Sequence, residues 1–274
     1  MNILDWVILA GFFIALILIG TLSYFRTKNS ADYFVADGKL PFWLLGISHH
    51  VSGYSGVVFV AYAGLAYTHG FSIYTWWALT VGLSIVFGAF FIPKLWVNLR
   101  ITQKIQSPLE FLARRYNLPT QQIMAWSGVI LKLFDMAAKW VAIALILNVF
   151  TELPLVYGIF LSGGVSVLYI TMGGFWAVVI TDFVQFIIQI VAGVCMFVIV
   201  VLKLGGVSSI FGIWDRLPPA NSHLFNSPYT VWFALAFLLI NFFSYNGGTW
   251  NLATRFISAR NAREAKPGMY DSAG

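Results

Sequence analysis

The sequence predicts an all-α integral membrane protein of about seven transmembrane helices, and three observations carry that expectation. Of 274 residues, 59% are hydrophobic and 9% charged, whereas roughly a quarter of a soluble domain is charged; mean hydropathy is +0.82. The apolar runs are of helix length, about 20 residues, rather than the alternating strands of roughly ten residues that build an outer-membrane barrel. The basic residues fall between the runs, so the net charge of +6 reads as membrane orientation in a lipid bilayer, with no nucleic-acid partner expected. A single cysteine, Cys195, excludes an intrachain disulfide and any multi-cysteine metal site.

Residues 3–24 form the first span. It has no basic residue before it and no small-residue cleavage site after it, so it reads as an uncleaved helix. Further spans are expected at about 41–67, 70–93, 122–150, 154–172, 176–203 and 229–253. If these alternate, Arg26, Lys28, Lys39, Lys94, Arg100, Lys104, Arg114, Arg115, Arg255, Arg260, Arg263 and Lys266 lie in the cytoplasm and Lys203 and Arg216 outside, which puts the N-terminus outside. Between spans, 101–117 has Ser107 before Pro108 and Glu110, a helix start at the membrane interface. The outer loop 205–228, with Pro218, Pro219 and Pro228, has turn chemistry and no evident site.

The second span is unusual. Its ends are apolar, but Ser48, His49, His50, Ser52, Gly53, Tyr54, Ser55 and Gly56 sit near its middle, where hydrocarbon offers no hydrogen-bond partner. A helix interrupted there frees carbonyls at mid-depth, as in carriers that bind a coupling ion; an unbroken helix packed closely through its small residues is the alternative.

Four ionisable residues fall inside the proposed spans: Lys132, Asp135, Lys139 and Asp182. Asp135 is one turn from both lysines, so internal neutralisation is expected. Asp182 has no local partner, and Gln185 and Gln189 continue its helix face. It is placed either to receive a cation near an inward vestibule or to accept hydrogen bonds from another helix's hydroxyls and hold the bundle.

Several segments together resemble the sodium:solute symporter family, which includes sodium-coupled sugar, proline and sialic-acid carriers. They are ADYFVADGKLPFW at 31–43, PLEF at 108–111, GGFWAVVITDFVQ at 173–185 and RFISARNAREA at 255–265. The resemblance implies a leucine-transporter-like core of two inverted five-helix repeats preceded by one extra helix. On that reading residues 3–24 are the extra helix, 41–203 the first repeat, 229–253 the first helix of the second repeat and 255–274 a cytoplasmic tail, all in one transmembrane domain that is expected to be truncated.

The resemblance also implies a role: sodium-driven symport of a small organic solute across a plasma membrane, in bacteria the inner membrane, with no cofactor beyond Na+ as the coupling ion. Sodium would meet the carbonyls of Val51 and Tyr54 and pass the carboxylate of Asp182. The hydroxyls completing the site would lie two helices beyond residue 274. His50, Trp77, Thr80 and an inner-gate Tyr245 would line the solute cavity. Sugar carriers place amide or acid side chains where Val57, Val58, Trp77 and Phe242 stand, so a sugar is disfavoured, because a polyol needs buried polar partners.

Two enzymatic readings compete. Gly53-Tyr54-Ser55-Gly56 fits a GxSG pattern, as for an intramembrane serine protease using Ser55, but no histidine lies in a later helix to serve as its base. His49-His50 suggests a haem or metal protein, yet adjacent helical residues point about 100° apart and no other span offers a facing histidine. No metal other than sodium is expected, and the histidines are expected to pack or to line a cavity. A truncated carrier of this kind would be an inactive or partial fragment, unable to transport by itself.

Overall fold

The computed structural model describes residues 3–54 and 58–260. All its regular elements are helical among those residues. Helix α1 (Ile3–Tyr24) packs along the long helix α9. Helix α2 (Ser30–Val35) starts on Asn29, whose side chain accepts the N–H of Asp32 at 2.8 Å, satisfying an otherwise free helix-start donor.

Helix α3 (Phe42–Gly53) begins after Pro41 and ends within the expected second span. Tyr54 is extended (φ −97°, ψ 148°), and its N–H turns back to the Val51 carbonyl at 3.0 Å. The i→i−4 ladder therefore stops there, as the polar centre of the span predicts. The chain is helical again over the π-turn Val58–Tyr62 and α4 (Ala63–His69). A second wide turn, Tyr74–Leu79, leads into α5 (Thr80–Ala89). Next comes α6 (Ile92–Gln103), bent from the preceding segment by 46°.

Helix α7 (Pro108–Arg115) carries the expected cap: Ser107 Oγ accepts the Glu110 N–H at 3.2 Å while Glu110 accepts from the Gln106 N–H at 2.8 Å. Helix α8 (Leu118–Thr151) is started by Asn117 and contains the span expected at 122–150. Helix α9 (Leu155–Lys203) is 49 residues long but is interrupted at Gly174 (φ 57°, ψ −147°). That conformation requires glycine, and a Cβ there would lie 2.7 Å from the Tyr33 carbonyl oxygen. The Tyr33 hydroxyl donates to the Thr171 carbonyl at 3.3 Å, supplying a partner where the kink disturbs the helical ladder. Short helices α10 (Ser208–Phe211) and α11 (Pro219–Ser222) lie in the loop before α12 (Val231–Phe243).

The expected span at 229–253 is broken as well. After α12 the chain forms a wide turn, Ser244–Gly248, with Gly247 at φ 157°, then an extended Thr249, then α13 (Trp250–Ile257).

By length and composition three helices among the described residues can cross a membrane: Ile3–Tyr24, Leu155–Lys203 and Val231–Gly248. The bent pair Tyr74–Ala89 and Ile92–Gln103 makes a fourth if counted as one span. The expected count of about seven is thus met only in part. Breaks explain much of the difference: α3 and α4 are each too short alone, and α9 carries two expected spans in one interrupted helix.

One end of the bundle is closed by a buried cluster of Ala36, Leu40, Leu45, Val97, Phe175, Val179 and Ala259. Arg100 Nη2 donates to the Ala259 carbonyl at 2.7 Å, and the Arg260 N–H donates to the Leu40 carbonyl at 3.2 Å. The loop before α3 and the segment after α13 are thereby held together.

Candidate functional site

The break after α3 opens onto a groove of about 870 Å³ whose walls include Val51, Tyr54, Asp182, Gln185 and Gln189. All three residues expected on the sodium path therefore share one space, and the glutamine stripe read from the sequence continues it along α9.

Asp182 is not the unpaired acid that the sequence suggests. It is buried, and three donors converge on its Oδ2: Ser48 Oγ at 2.5 Å, Ser52 Oγ at 3.5 Å and Arg255 Nη2 at 3.5 Å. Arg255 also donates from Nε to Ser48 Oγ at 3.2 Å, from Nη2 to Ser52 Oγ at 2.5 Å and from Nη1 to the Asn251 carbonyl. Its guanidinium lies 5.5 Å from the Phe175 ring centroid. Arg255, expected at the cytoplasmic end of its span, is not free in solvent: the residue is 5% exposed and sits inside the bundle. The hydroxyls of α3 do hold Asp182, as one of the two readings required. The signal for Arg255 was present in its spacing, because Leu252 and Arg255 are three apart and so share the buried face of α13.

The second break lies against the first. His49 Nε2 is 3.0 Å from the Tyr245 carbonyl oxygen; since a carbonyl only accepts, the proton sits on Nε2. Trp96 Nε1 donates to the Asn246 carbonyl at 3.2 Å, and Asn246 Nδ2 donates to the carbonyls of Ser84 (3.0 Å) and Phe242 (2.7 Å). Helix α5 can approach so closely because residue 88 is glycine: a Cβ there would fall 1.8 Å from Asn246 Oδ1. Sequence reading missed this break, although Ser244-Tyr245-Asn246-Gly247-Gly248-Thr249 repeats the small, polar character of the first.

Three of the four expected solute residues come together. His50, Trp77 and Tyr245 line one cavity of about 160 Å³, with Tyr54 as a further wall. The ring centroids of His50 and Tyr54 are 4.6 Å apart, and those of Tyr54 and Trp77 6.1 Å. Thr80 is not brought to this cavity. Its hydroxyl donates to the Trp76 carbonyl at 2.6 Å and accepts from Asn241 Nδ2 at 3.3 Å, which makes it part of the seam between α5 and α12.

Lys132 and Lys139 both reach Asp135 Oδ2, at 2.9 and 3.0 Å, the internal neutralisation expected from their spacing. Ser55 and Val57 lie outside the described residues.

An apolar helical bundle in which interrupted helices pack around a buried acid is the architecture of a multi-pass membrane protein, and the family match gives the transporter class. The chain belongs to the sodium:solute symporter family, whose profile matches residues 33–273; this is a family of transporters, and neither enzymatic reading stands beside it.

Relatives include the sodium/sialic acid symporter NanT of Aliivibrio fischeri, 25% identical over 78% of this chain and 41% of its own length. The sodium/glucose cotransporter of Vibrio parahaemolyticus is 26% identical over 88% of this chain and 46% of its own. The osmoregulated proline transporter OpuE of Bacillus subtilis is 25% identical over 93% and 52%. The fold is shared with a substrate-bound, outward-open structure of a Na+-coupled sialic acid symporter, with a TM-score of 0.82 at 22% identity over 96% of this chain and 55% of that one. The chain spans about half the length of the curated relatives it matches.

Proposed function

We propose that the protein carrying this chain imports a small organic solute by sodium symport across a plasma membrane, with its N-terminus outside. The observation that carries this reading is the first break: Val51, Tyr54 and Asp182 line one groove at the end of a helix interrupted inside an apolar bundle. Among the described residues, the donors to Asp182 converge on Oδ2, and on this reading Oδ1 faces a passing cation. On this reading the chain comprises about seven spans: one preceding helix, a first five-helix repeat at 41–203, and the opening helix of an inverted second repeat. The break at Ser244–Thr249 supports that assignment, since each inverted repeat of such carriers begins with a discontinuous helix. His50, Trp77 and Tyr245 line the solute path, and Thr80 contributes to helix packing instead.

The membrane potential drives the sodium inward, at about 2.3 kcal/mol per charge per 100 mV. Vesicles containing the protein should take up labelled solute only with an inward sodium gradient, and Asp182→Asn should raise the sodium concentration needed for half-maximal uptake. Uptake that persists unchanged when potassium replaces sodium sinks the symport reading.

A further inference from the structure

We propose that the cavity between the first break and α5 takes the quaternary ammonium head of an organic cation. The inference rests on reading that cavity as the solute site, and it commits to a chemical class.

The walls are rings. His50, Tyr54, Trp77 and Tyr245 surround the space, and Val81 and Ile85 complete it with aliphatic surface. Tyr62 backs the indole of Trp77 at a centroid distance of 4.5 Å and fixes its orientation. The opposite side is kept open by glycine: a Cβ built on Gly82 meets no atom within 4 Å, and the Tyr245 ring lies against Gly53, 3.1 Å from where a Cβ would be.

Among the described residues, none lining this cavity carries a full charge at neutral pH. An acid, Asp182, lines the adjoining groove and is already engaged by Arg255. That weighs against a polyol and a carboxylate by the groups they leave unmatched. A polyol would surrender many hydrogen bonds to water and find in exchange the Tyr54 and Tyr245 hydroxyls, the Trp77 N–H and a His50 ring nitrogen. A carboxylate would find no cation, because Arg255 is paired elsewhere. A primary ammonium would need the Tyr54 and Tyr245 hydroxyls and a His50 ring nitrogen all turned as acceptors toward its three N–H groups, and a tetraalkylammonium needs none. Its methyl groups fill an aromatic box, and its charge is attracted by the negative faces of Trp and Tyr. His50 and Tyr54 line both this cavity and the groove with Asp182, so a bound cation and a sodium ion would share two side chains.

The test uses calorimetric titration of the purified chain in detergent with choline and with its neutral isostere, 3,3-dimethylbutan-1-ol. Choline should bind at least about tenfold more tightly, the order expected of a desolvated cation–π contact. Trp77→Leu should remove that advantage and Trp77→Phe should keep most of it. Gly82→Leu, which grows into open space, should block both ligands while helix content by circular dichroism stays unchanged; should that variant misfold, Gly82→Val replaces it. Equal affinity for the isostere, no choline binding, or choline binding untouched by both Trp77→Leu and the Gly82 variant overturns the proposal. The two readings fail separately: choline binding in a protein without sodium-driven uptake defeats the symport alone, whereas sodium-driven uptake that choline does not compete with defeats the ammonium cage alone.

Discussion

At the first break, among the described residues, the Val51 carbonyl accepts from the Tyr54 N–H, and Val51 and Tyr54 line a groove. At the second break the carbonyls of Tyr245 and Asn246 are each taken by a side chain from the first half of the chain, His49 and Trp96. Both interruptions face the same problem of freed backbone groups in an apolar bundle. One lies beside an open groove lined by Val51 and Tyr54, and the other is sealed by ring nitrogens. The difference separates two roles: the second break is braced by side chains, and the first is the one assigned to binding in the proposed function. The Asp182–Arg255 pair with Ser48 and Ser52 joins them, because α3, α9 and α13 each contribute to it.

The largest test of that comparison removes the joint. Arg255→Met leaves a buried carboxylate without its cation and should lower stability by about 3–5 kcal/mol in a denaturant titration. The double variant Asp182→Asn with Arg255→Met should recover much of it. If Arg255→Met loosened α13 but left α3 fully protected in hydrogen exchange, the two breaks would not be coupled as described.

Bracing of the second break predicts an intermediate effect. Asn246→Ala strips the Ser84 and Phe242 carbonyls of a buried donor and should lose about 1–3 kcal/mol, with faster exchange at 244–249 and none at 48–54. Gly88→Ala should act in the same place, since its methyl would occupy the position of the Asn246 amide. A uniform increase in exchange at both breaks would contradict the division of roles.

The adjacent histidines sharpen it further. His49→Phe keeps the ring against Phe256 but removes the donor to Tyr245, and should lose about 1–2 kcal/mol. His50→Phe removes no hydrogen bond among the described residues and should change stability by no more than about 0.5 kcal/mol. Equal losses at both positions would mean that the Tyr245 contact contributes nothing. The smallest effect is expected at Gly82→Ala, where the added methyl meets open space and helix propensity favours alanine by up to about 1 kcal/mol; a loss in thermal unfolding would show that the space is not open.

Much of this was legible in the residues. Apolar run length identified the spans in outline, the polar middle of the span at 41–67 located the first break, and the i, i+3 and i, i+4 spacings of Lys132, Asp135 and Lys139 predicted their pairing. These are local properties, set by helix periodicity and by the intolerance of hydrocarbon for unpaired backbone. The second break was written in similar terms but was read as an unbroken span, because its flanks remain apolar enough to cross a membrane whole.

What only the tertiary structure decided are pairings across long separations in sequence: Asp182 with Arg255, His49 with the Tyr245 carbonyl, Asn246 with Ser84, and Thr80 with Asn241 away from the cavity. A charged or polar side chain records in sequence its need for a partner and not the partner's identity, which depends on which helix faces meet. Periodicity could therefore place Asp182 on a polar stripe and Arg255 on a buried face. Packing of α3 against both α9 and α13 brought the two charges together.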